Sequence, residues 1–159
     1  MQTIIPFLWF DDQAEEAMKF YTSVFKNSKI GSVTRMGNEV PGPKGKVMTA
    51  SFQLAGLEFM ALNGGPVEGF KFNEAISFFI NCETQAEVNE LWEKLSAGGE
   101  EGQCGWLKDK FGVSWQIVPT ILGELLGDKD PVKAQRVTHA MLQMKKLDIE
   151  VLKQAYHQK

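Results

Sequence analysis

The pattern of hydrophobic positions in this chain occurs twice. An apolar, β-forming run followed by apolar residues at helical spacing spans residues 4–25 and again residues 76–97. When the first copy is displaced onto the second, Ile4 meets Ile76 and Leu8 meets Ile80. A second match pairs Gly-Leu-Glu-Phe-Met at residues 56–60 with Gly-Val-Ser-Trp-Gln at residues 112–116. The two copies predict a pseudo-symmetric pair of units.

Both copies contain strand patterns separated by turn and loop signals. The predicted strands lie at residues 4–10, 30–36, 47–54, 57–62, 76–81, 101–106 and 113–118. Ala55-Gly56 indicates a hairpin turn, and the prolines and glycines of residues 37–45 indicate a loop. We expect a first repeat at residues 1–66, a second at 67–120 and a helical extension at 121–159, in one compact unit.

Capping residues mark where the predicted helices begin. Asp11-Asp12 precede the helix of the first copy, and Thr84 forms a capping box with Glu87 before that of the second. Asp130-Pro131 and Asp148 start two further helices near the C terminus. With the strands, these helices predict an α+β fold.

Alternation along the strands gives each predicted sheet two faces. One face is uniformly apolar and is expected to pack under helices: Ile4, Leu8, Phe10, Leu57, Phe59, Ile76, Phe78, Ile80, Val113, Trp115 and Ile117. The other combines large apolar groups with a few polar ones, which is typical of a small-molecule pocket. From that face we predict the ligand-binding residues Phe7, Trp9, Met60, Ser77, Phe79, Asn81, Ser114 and Gln116. The alternative is an ordinary core whose polar groups are satisfied by neighbours.

Composition narrows the classes of partner. The formal net charge is -3 and no basic tract occurs, so nucleic acid is not an expected partner. The apolar runs are too short to span a bilayer, and no signal segment opens the sequence. The two cysteines, Cys82 and Cys104, are interpreted as reduced thiols of a cytoplasmic protein; the alternative is a disulfide between them, which their spacing does not indicate.

Several motifs resemble those of one known family. Ile-Pro-Phe-Leu-Trp-Phe at residues 5–10, Phe-Asn-Glu-Ala-Ile-Ser at 72–77 and Gly-Val-Ser-Trp-Gln-Ile-Val-Pro at 112–119 are similar to PhnB-like proteins. That group, often labelled 3-demethylubiquinone-9 3-methyltransferase, is part of the vicinal-oxygen-chelate superfamily of glyoxalases, bleomycin-resistance proteins and dioxygenases. The resemblance implies two βαβββ repeats that form a cupped mixed sheet, with C-terminal helices, in a homodimer.

The same resemblance raises the question of a metal. Metal-binding members of the superfamily place His, Glu or Gln at four positions, which fall here at Ile5, Met60, Ser77 and Gln116. Three of these are not usual ligands, and one neutral amide oxygen does not hold a transition metal. We therefore predict no metal and no cofactor.

Catalytic residues are not defined by the sequence. Glu58 is a weak candidate for a general base, and the alternative is a surface carboxylate without a role. Gly64-Gly65 and Gly98-Gly99 lack the context of a nucleotide-binding turn. The leading hypothesis is a metal-free protein that binds a small molecule of unknown identity. An enzyme of the glyoxalase, dioxygenase or labelled methyltransferase type, and an interaction module without ligand, remain alternatives.

Overall fold

The computed structural model describes residues 1–158, and the chain divides after Phe70 into two compact units. The first unit contains β1 (Phe7–Phe10), α1 (Ala14–Val24), β2 (Lys29–Arg35), β3 (Val47–Leu54) and β4 (Leu57–Asn63). The second contains β5 (Ser77–Cys82), α2 (Gln85–Ser96), β6 (Glu100–Glu101), β7 (Trp106–Lys108), β8 (Ser114–Pro119), α3 (Thr120–Leu126), α4 (Pro131–Leu142) and α5 (Ile149–His157). Each unit therefore holds one βαβββ repeat, and the predicted α+β class is confirmed.

The two repeats share one strand order and one register. The first sheet runs β1-β4-β3-β2 and the second β5-β8-β7-β6, with the first two strands of each order parallel and the others antiparallel. Phe7 lies opposite Met60 in the first sheet, and Phe79 lies opposite Gln116 in the second. The two sequence matches place Phe7 on Phe79 and Met60 on Gln116, so the structure confirms the repeat to the residue.

One face of each sheet packs under its helix. In the first unit, Tyr21 of α1 stacks on Phe52, which stacks in turn on Phe59, with ring centroids 6.4 and 5.7 Å apart. In the second, α2 packs against β7 and β8 and buries Trp92 and Leu95. These apolar faces form the core that fixes the opposite, open face of each sheet.

Three residues expected in that core are instead exposed. Ile4 and Ile76 are 85% and 74% exposed because each precedes the strand to which it was assigned, and Leu57 is exposed at a hairpin end. In the first sheet the ladder begins at Phe7, since Pro6 has no N–H to donate. A continuous apolar run therefore predicted that strand pairing starts earlier than it does.

The two sheet helices begin in different ways. The capping box of α2 is confirmed: Thr84 Oγ1 accepts from the Glu87 backbone N–H at 3.2 Å, and the Glu87 carboxylate accepts from the Thr84 N–H at 3.4 Å. The cap predicted for α1 at Asp11-Asp12 is wrong. Asn63, buried at the end of β4, accepts from the Ala14 N–H at 2.8 Å. A distant residue supplies this bond because the local Gln13 side chain makes no cap.

Residues 101–106, predicted as one strand, contain the last residue of β6, a turn and the first residue of β7. Cys104 and Gly105 take positive φ angles of 57° and 85° there. Their N–H groups donate to the Met144 and Lys145 carbonyls, both at 2.8 Å, so they are not available to a strand ladder. The strand prediction failed because these acceptors lie far away along the chain, where a local sequence pattern does not reveal them.

The C-terminal helices form a core of their own at the end of the second sheet. Its buried members are Val118, Leu122, Leu125, Val137, Leu147 and Leu152. Asp130 and Asp148 cap α4 and α5 as predicted, whereas α3 was not predicted. Among residues 1–158, no helix combines the length and apolar character needed to cross a membrane.

Candidate functional site

The predicted site residues of the first unit share the open face of its sheet. Phe7 lies opposite Met60, and Trp9 follows two residues along the same face. The Trp9 indole N–H donates to the Gly65 carbonyl at 3.2 Å, and its ring lies edge-on to Phe70 at 5.3 Å. Trp9 therefore holds the segment after β4 in place, a structural role that the sequence pattern did not separate from ligand binding.

Polar groups on this first face satisfy one another. The Ser32 and Ser51 hydroxyl oxygens lie 2.9 Å apart, and those of Thr34 and Thr49 lie 2.6 Å apart. Such cross-strand pairs stabilise a sheet and leave little unmet hydrogen-bonding capacity for a ligand. The first face thus offers aromatic surface rather than free polar groups.

Glu58, the candidate base, lies on β4 opposite Gln53. Gln2 brackets its backbone, since the Gln2 amide donates to the Glu58 carbonyl at 3.0 Å and accepts from the Glu58 N–H at 2.9 Å. The structure places Glu58 in the first unit, and Asn81 and Gln116 in the second. Its catalytic role stays a prediction.

The second sheet brings the other predicted residues onto one open face. Ser77 lies opposite Ser114, and Phe79 lies opposite Gln116. The Gln116 amide donates to the Ser77 hydroxyl at 2.9 Å, which fixes the orientation of both side chains. Asn81 is exposed, one step further along the same face. This face joins aromatic surface to several polar groups within one unit.

A cleft of about 110 Å³ adjoins this face. It is lined by Glu74, Glu100, Glu101, Gly102, Trp106, Leu107, Lys108 and Ser114. β7 places Trp106 opposite Gln116 and Lys108 opposite Ser114, so both lining residues belong to the open face. Sequence reasoning missed both residues. Lys108 lies outside the predicted strand 101–106, and no pairing was predicted that places Trp106 opposite Gln116.

Ser114 is the unusual member of the cleft wall. The residue is 1% exposed, and its hydroxyl oxygen has no hydrogen-bond partner among the described residues. Leaving a buried polar group unpaired costs about 1–3 kcal/mol. In native proteins such a group calls for an explanation, and a bound water, ion or ligand is one of the common ones.

Acidic groups dominate the charge of the cleft. The Lys108 ammonium lies 2.6 Å from the Glu74 carboxylate. This hydrogen bond lowers the pKa of Glu74 and raises that of Lys108, and the Glu100 charge raises the Lys108 pKa further. One Glu101 oxygen accepts from the Trp92 indole N–H at 2.9 Å. Three carboxylates and one ammonium give the lining a formal charge of -2 at neutral pH.

The residues at the superfamily's metal positions do not fit a transition metal. Ile5 and Met60 carry no nitrogen or oxygen ligand, and Ser77 already accepts from the Gln116 amide. In residues 1–158, no group of three or more His, Cys, Asp or Glu side chains is placed to hold a metal ion. Transition-metal sites need imidazole, thiolate or carboxylate ligands. We therefore derive no chemistry through a metal.

The two glycine pairs do not form a nucleotide-binding turn. Gly64-Gly65 follow β4 and lead into a loop, and Gly98-Gly99 follow α2 and lead into β6. A dinucleotide fingerprint requires glycines between a strand and the helix that follows it. Neither pair has that context.

Known proteins resemble this chain over most of its length. A family model described as 3-demethylubiquinone-9 3-methyltransferase matches residues 2–118. A PhnB protein from Bacillus cereus, provisionally described as that methyltransferase, is 40% identical, with a TM-score of 0.71 over 75% of this chain and 100% of its own. No curated protein matches the sequence.

Two more distant structures agree in fold. A protein from Pseudomonas aeruginosa is 23% identical, with a TM-score of 0.62 over 75% of this chain and 98% of its own. The fosfomycin resistance protein FosX from Listeria monocytogenes is 20% identical, with a TM-score of 0.55 over 80% of this chain and 98% of its own. At these identities the likeness concerns the fold alone.

Proposed function

We propose a small-molecule-binding function for this chain, which belongs to the PhnB-like family described as 3-demethylubiquinone-9 3-methyltransferase. Its fold is that of the vicinal-oxygen-chelate superfamily, to which FosX also belongs. The ligand binds at the open face of the second sheet and enters the cleft beside Ser114. The methyltransferase description is not extended to this chain, because its glycine pairs lack the context of a nucleotide-binding turn.

The observation that carries this proposal is the unpaired hydroxyl of Ser114. Its surroundings contain polar side chains, yet none of them lies within hydrogen-bonding reach. A ligand that forms this bond recovers the free energy that burial without a partner costs. The half-exposed Lys108–Glu74 ion pair is a side-chain contact that can rearrange to admit it.

Trp106 supports the same location. The indole N–H groups of Trp9, Trp92 and Trp115 donate to Gly65, Glu101 and Asp109, respectively. Trp106 has no such partner in the part of the chain that the structure describes, and it lies opposite Gln116 as one of the residues that line the cleft. Phe79, 55% exposed on the same face, offers aromatic surface to the part of a ligand outside the cleft.

Nitrogen-15 NMR of the indole N–H groups tests this function. A library of small fragments of mixed charge is titrated, and Trp106→Phe assigns the reporting resonance. We expect at least one fragment to shift the Trp106 resonance saturably. Ser114→Ala should lower the affinity for that fragment about tenfold, which corresponds to about 1.4 kcal/mol of binding free energy for one lost hydrogen bond.

The matched control is Ser51→Ala, which removes a hydroxyl from the open face of the first sheet. It should leave the affinity at Trp106 unchanged. If no fragment perturbs the Trp106 resonance, or if Ser114→Ala binds as tightly as the original protein, the proposed site is wrong.

Two further properties are part of the proposal. We propose a homodimer, the assembly that the family resemblance implies, and light scattering after size-exclusion chromatography measures it. We also propose a cytoplasmic location, since Cys82 and Cys104 are free thiols, as proteins of a reducing compartment commonly have.

A further inference from the structure

We propose that the cleft selects a small organic cation, a primary ammonium group on a short carbon chain. The inference rests on the proposed function, because it assigns the charge of the ligand bound beside Ser114. It concerns the lining of one cleft within the second unit.

The charges of the lining carry this assignment. Glu74, Glu100 and Glu101 oppose the single ammonium of Lys108. A cleft lined mainly by one sign of charge concentrates ligands of the opposite sign. An anion would approach these carboxylates with only Lys108 to attract it, and Lys108 is already held by Glu74 at 2.6 Å. The balance therefore favours a cation.

The chain itself shows that an ammonium group is accommodated here. The Lys108 ammonium lies at the cleft wall in contact with Glu74. Glu100 makes no side-chain hydrogen bond within residues 1–158, and Glu101 uses one carboxylate oxygen for Trp92, which leaves the other for a second cation.

The uncharged groups fit the same ligand. The Ser114 hydroxyl, which lacks a partner, can accept a hydrogen bond from an ammonium N–H. Trp106 lines the cleft, and an aromatic ring attracts cations through its electron-rich face. A volume of about 110 Å³ admits a few non-hydrogen atoms, which limits the bound group to a short chain.

The experiment uses three probes of similar size and different charge: propylammonium, 1-propanol and propionate. Each is titrated into the full chain while the Trp106 indole resonance is followed. We expect propylammonium to shift this resonance saturably, and the other two to bind at least tenfold more weakly. Added salt should weaken propylammonium binding, because it screens exposed charges.

Charge variants give effects of opposite sign. Glu100→Gln removes an attracting charge and should weaken propylammonium binding at least threefold. Lys108→Gln removes a competing ammonium and should strengthen it at least threefold. Glu124→Gln and Lys129→Gln make the same charge changes at exposed positions outside the cleft lining, and neither should alter the affinity.

Other outcomes would overturn the assignment. Propionate or 1-propanol binding as tightly as propylammonium, or Lys108→Gln abolishing binding, shows that the cleft does not select a cation, while the small-molecule function stands. If none of the three probes binds but a library fragment shifts Trp106, the cation assignment alone fails. If no probe and no fragment binds, both proposals fail.

Discussion

The two repeats have the same strand order and register, yet the polar side chains on their open faces differ in their hydrogen bonding. In the first, strands of seven and eight residues carry hydroxyl pairs, Ser32 with Ser51 and Thr34 with Thr49. In the second, the corresponding β6 and β7 have only two and three residues, and the Ser114 hydroxyl has no partner. Where strands are long, polar groups satisfy one another, and where they are short, a cleft forms.

The turn before the last strand differs as well. In the first repeat, Ala55 and Gly56 make a tight hairpin with φ angles of 50° and 84°. In the second, the buried Asp109 carboxylate accepts from the Phe111 and Val113 N–H groups and from the Trp115 indole. In the first turn the Ala55 N–H donates to the Ser28 hydroxyl at 3.2 Å, whereas in the second turn a single side chain, Asp109, accepts three hydrogen bonds.

The largest expected effect comes from that side chain. Asp109→Ala leaves three donors without their acceptor and should lower the free energy of unfolding by about 3 kcal/mol. Urea denaturation followed by circular dichroism measures the change. Gln53→Ala, near the hairpin of the first repeat, is the matched control and should cost less than about 0.5 kcal/mol. Equal losses would show that both turns depend on side chains alike.

Helix starts offer a second contrast. Asn63→Ala removes the acceptor of the Ala14 N–H and the donor to the Val47 carbonyl, and should cost about 2 kcal/mol of unfolding free energy. Thr84→Ala removes one bond of the local capping box and should cost about 1 kcal/mol. Thermal and urea unfolding measure both variants. A greater loss for Thr84→Ala would contradict the view that the distant cap matters more.

Two serine variants should change stability in opposite directions. Ser114→Ala removes a buried hydroxyl without a partner, so without ligand it should raise the free energy of unfolding by about 1 kcal/mol. Ser51→Ala removes the acceptor of the Ser32 N–H at 2.9 Å and should lower it by about 1 kcal/mol. Chemical denaturation decides the signs. Destabilisation by Ser114→Ala would mean that its hydroxyl is already satisfied.

The smallest expected effect concerns the reactivity of a thiol rather than the free energy of unfolding. Cys82 ends β5, as Phe10 ends β1, and both are buried. Burial, with a further contribution from Glu87, raises the pKa of the Cys82 thiol to about 11. The thiolate fraction at pH 8 is then about one thousandth. Labelling with a disulfide reagent should be slow at Cys82 and accelerate as pH rises toward 11. Rapid labelling at pH 8 in Cys104→Ser would contradict this.

Much of the fold could be predicted from the chain because its signals are local. The capping box of Thr84, the hairpin at Ala55-Gly56 and the caps Asp130 and Asp148 each involve residues a few positions apart. Two of the errors involve distant partners. The true cap of α1 is Asn63, and residues 104 and 105 donate to the loop after α4. A periodic pattern of apolar residues does not reveal hydrogen bonds between residues that are far apart along the chain.

The amino-acid sequence by itself determined that one unit of the chain is duplicated and which strand residues share a face, because duplication and periodicity can be detected along the chain. The βαβββ arrangement came from the resemblance to PhnB-like proteins, since the pattern of the second copy predicted three strands and the structure has four. The sequence placed Ser77, Phe79, Ser114 and Gln116 on one face, as the structure does. Only the tertiary structure decided that Ser114 is buried without a partner beside Trp106 and Lys108. That arrangement depends on where the short strand β7 pairs with β8, and such pairing joins residues that no local pattern connects.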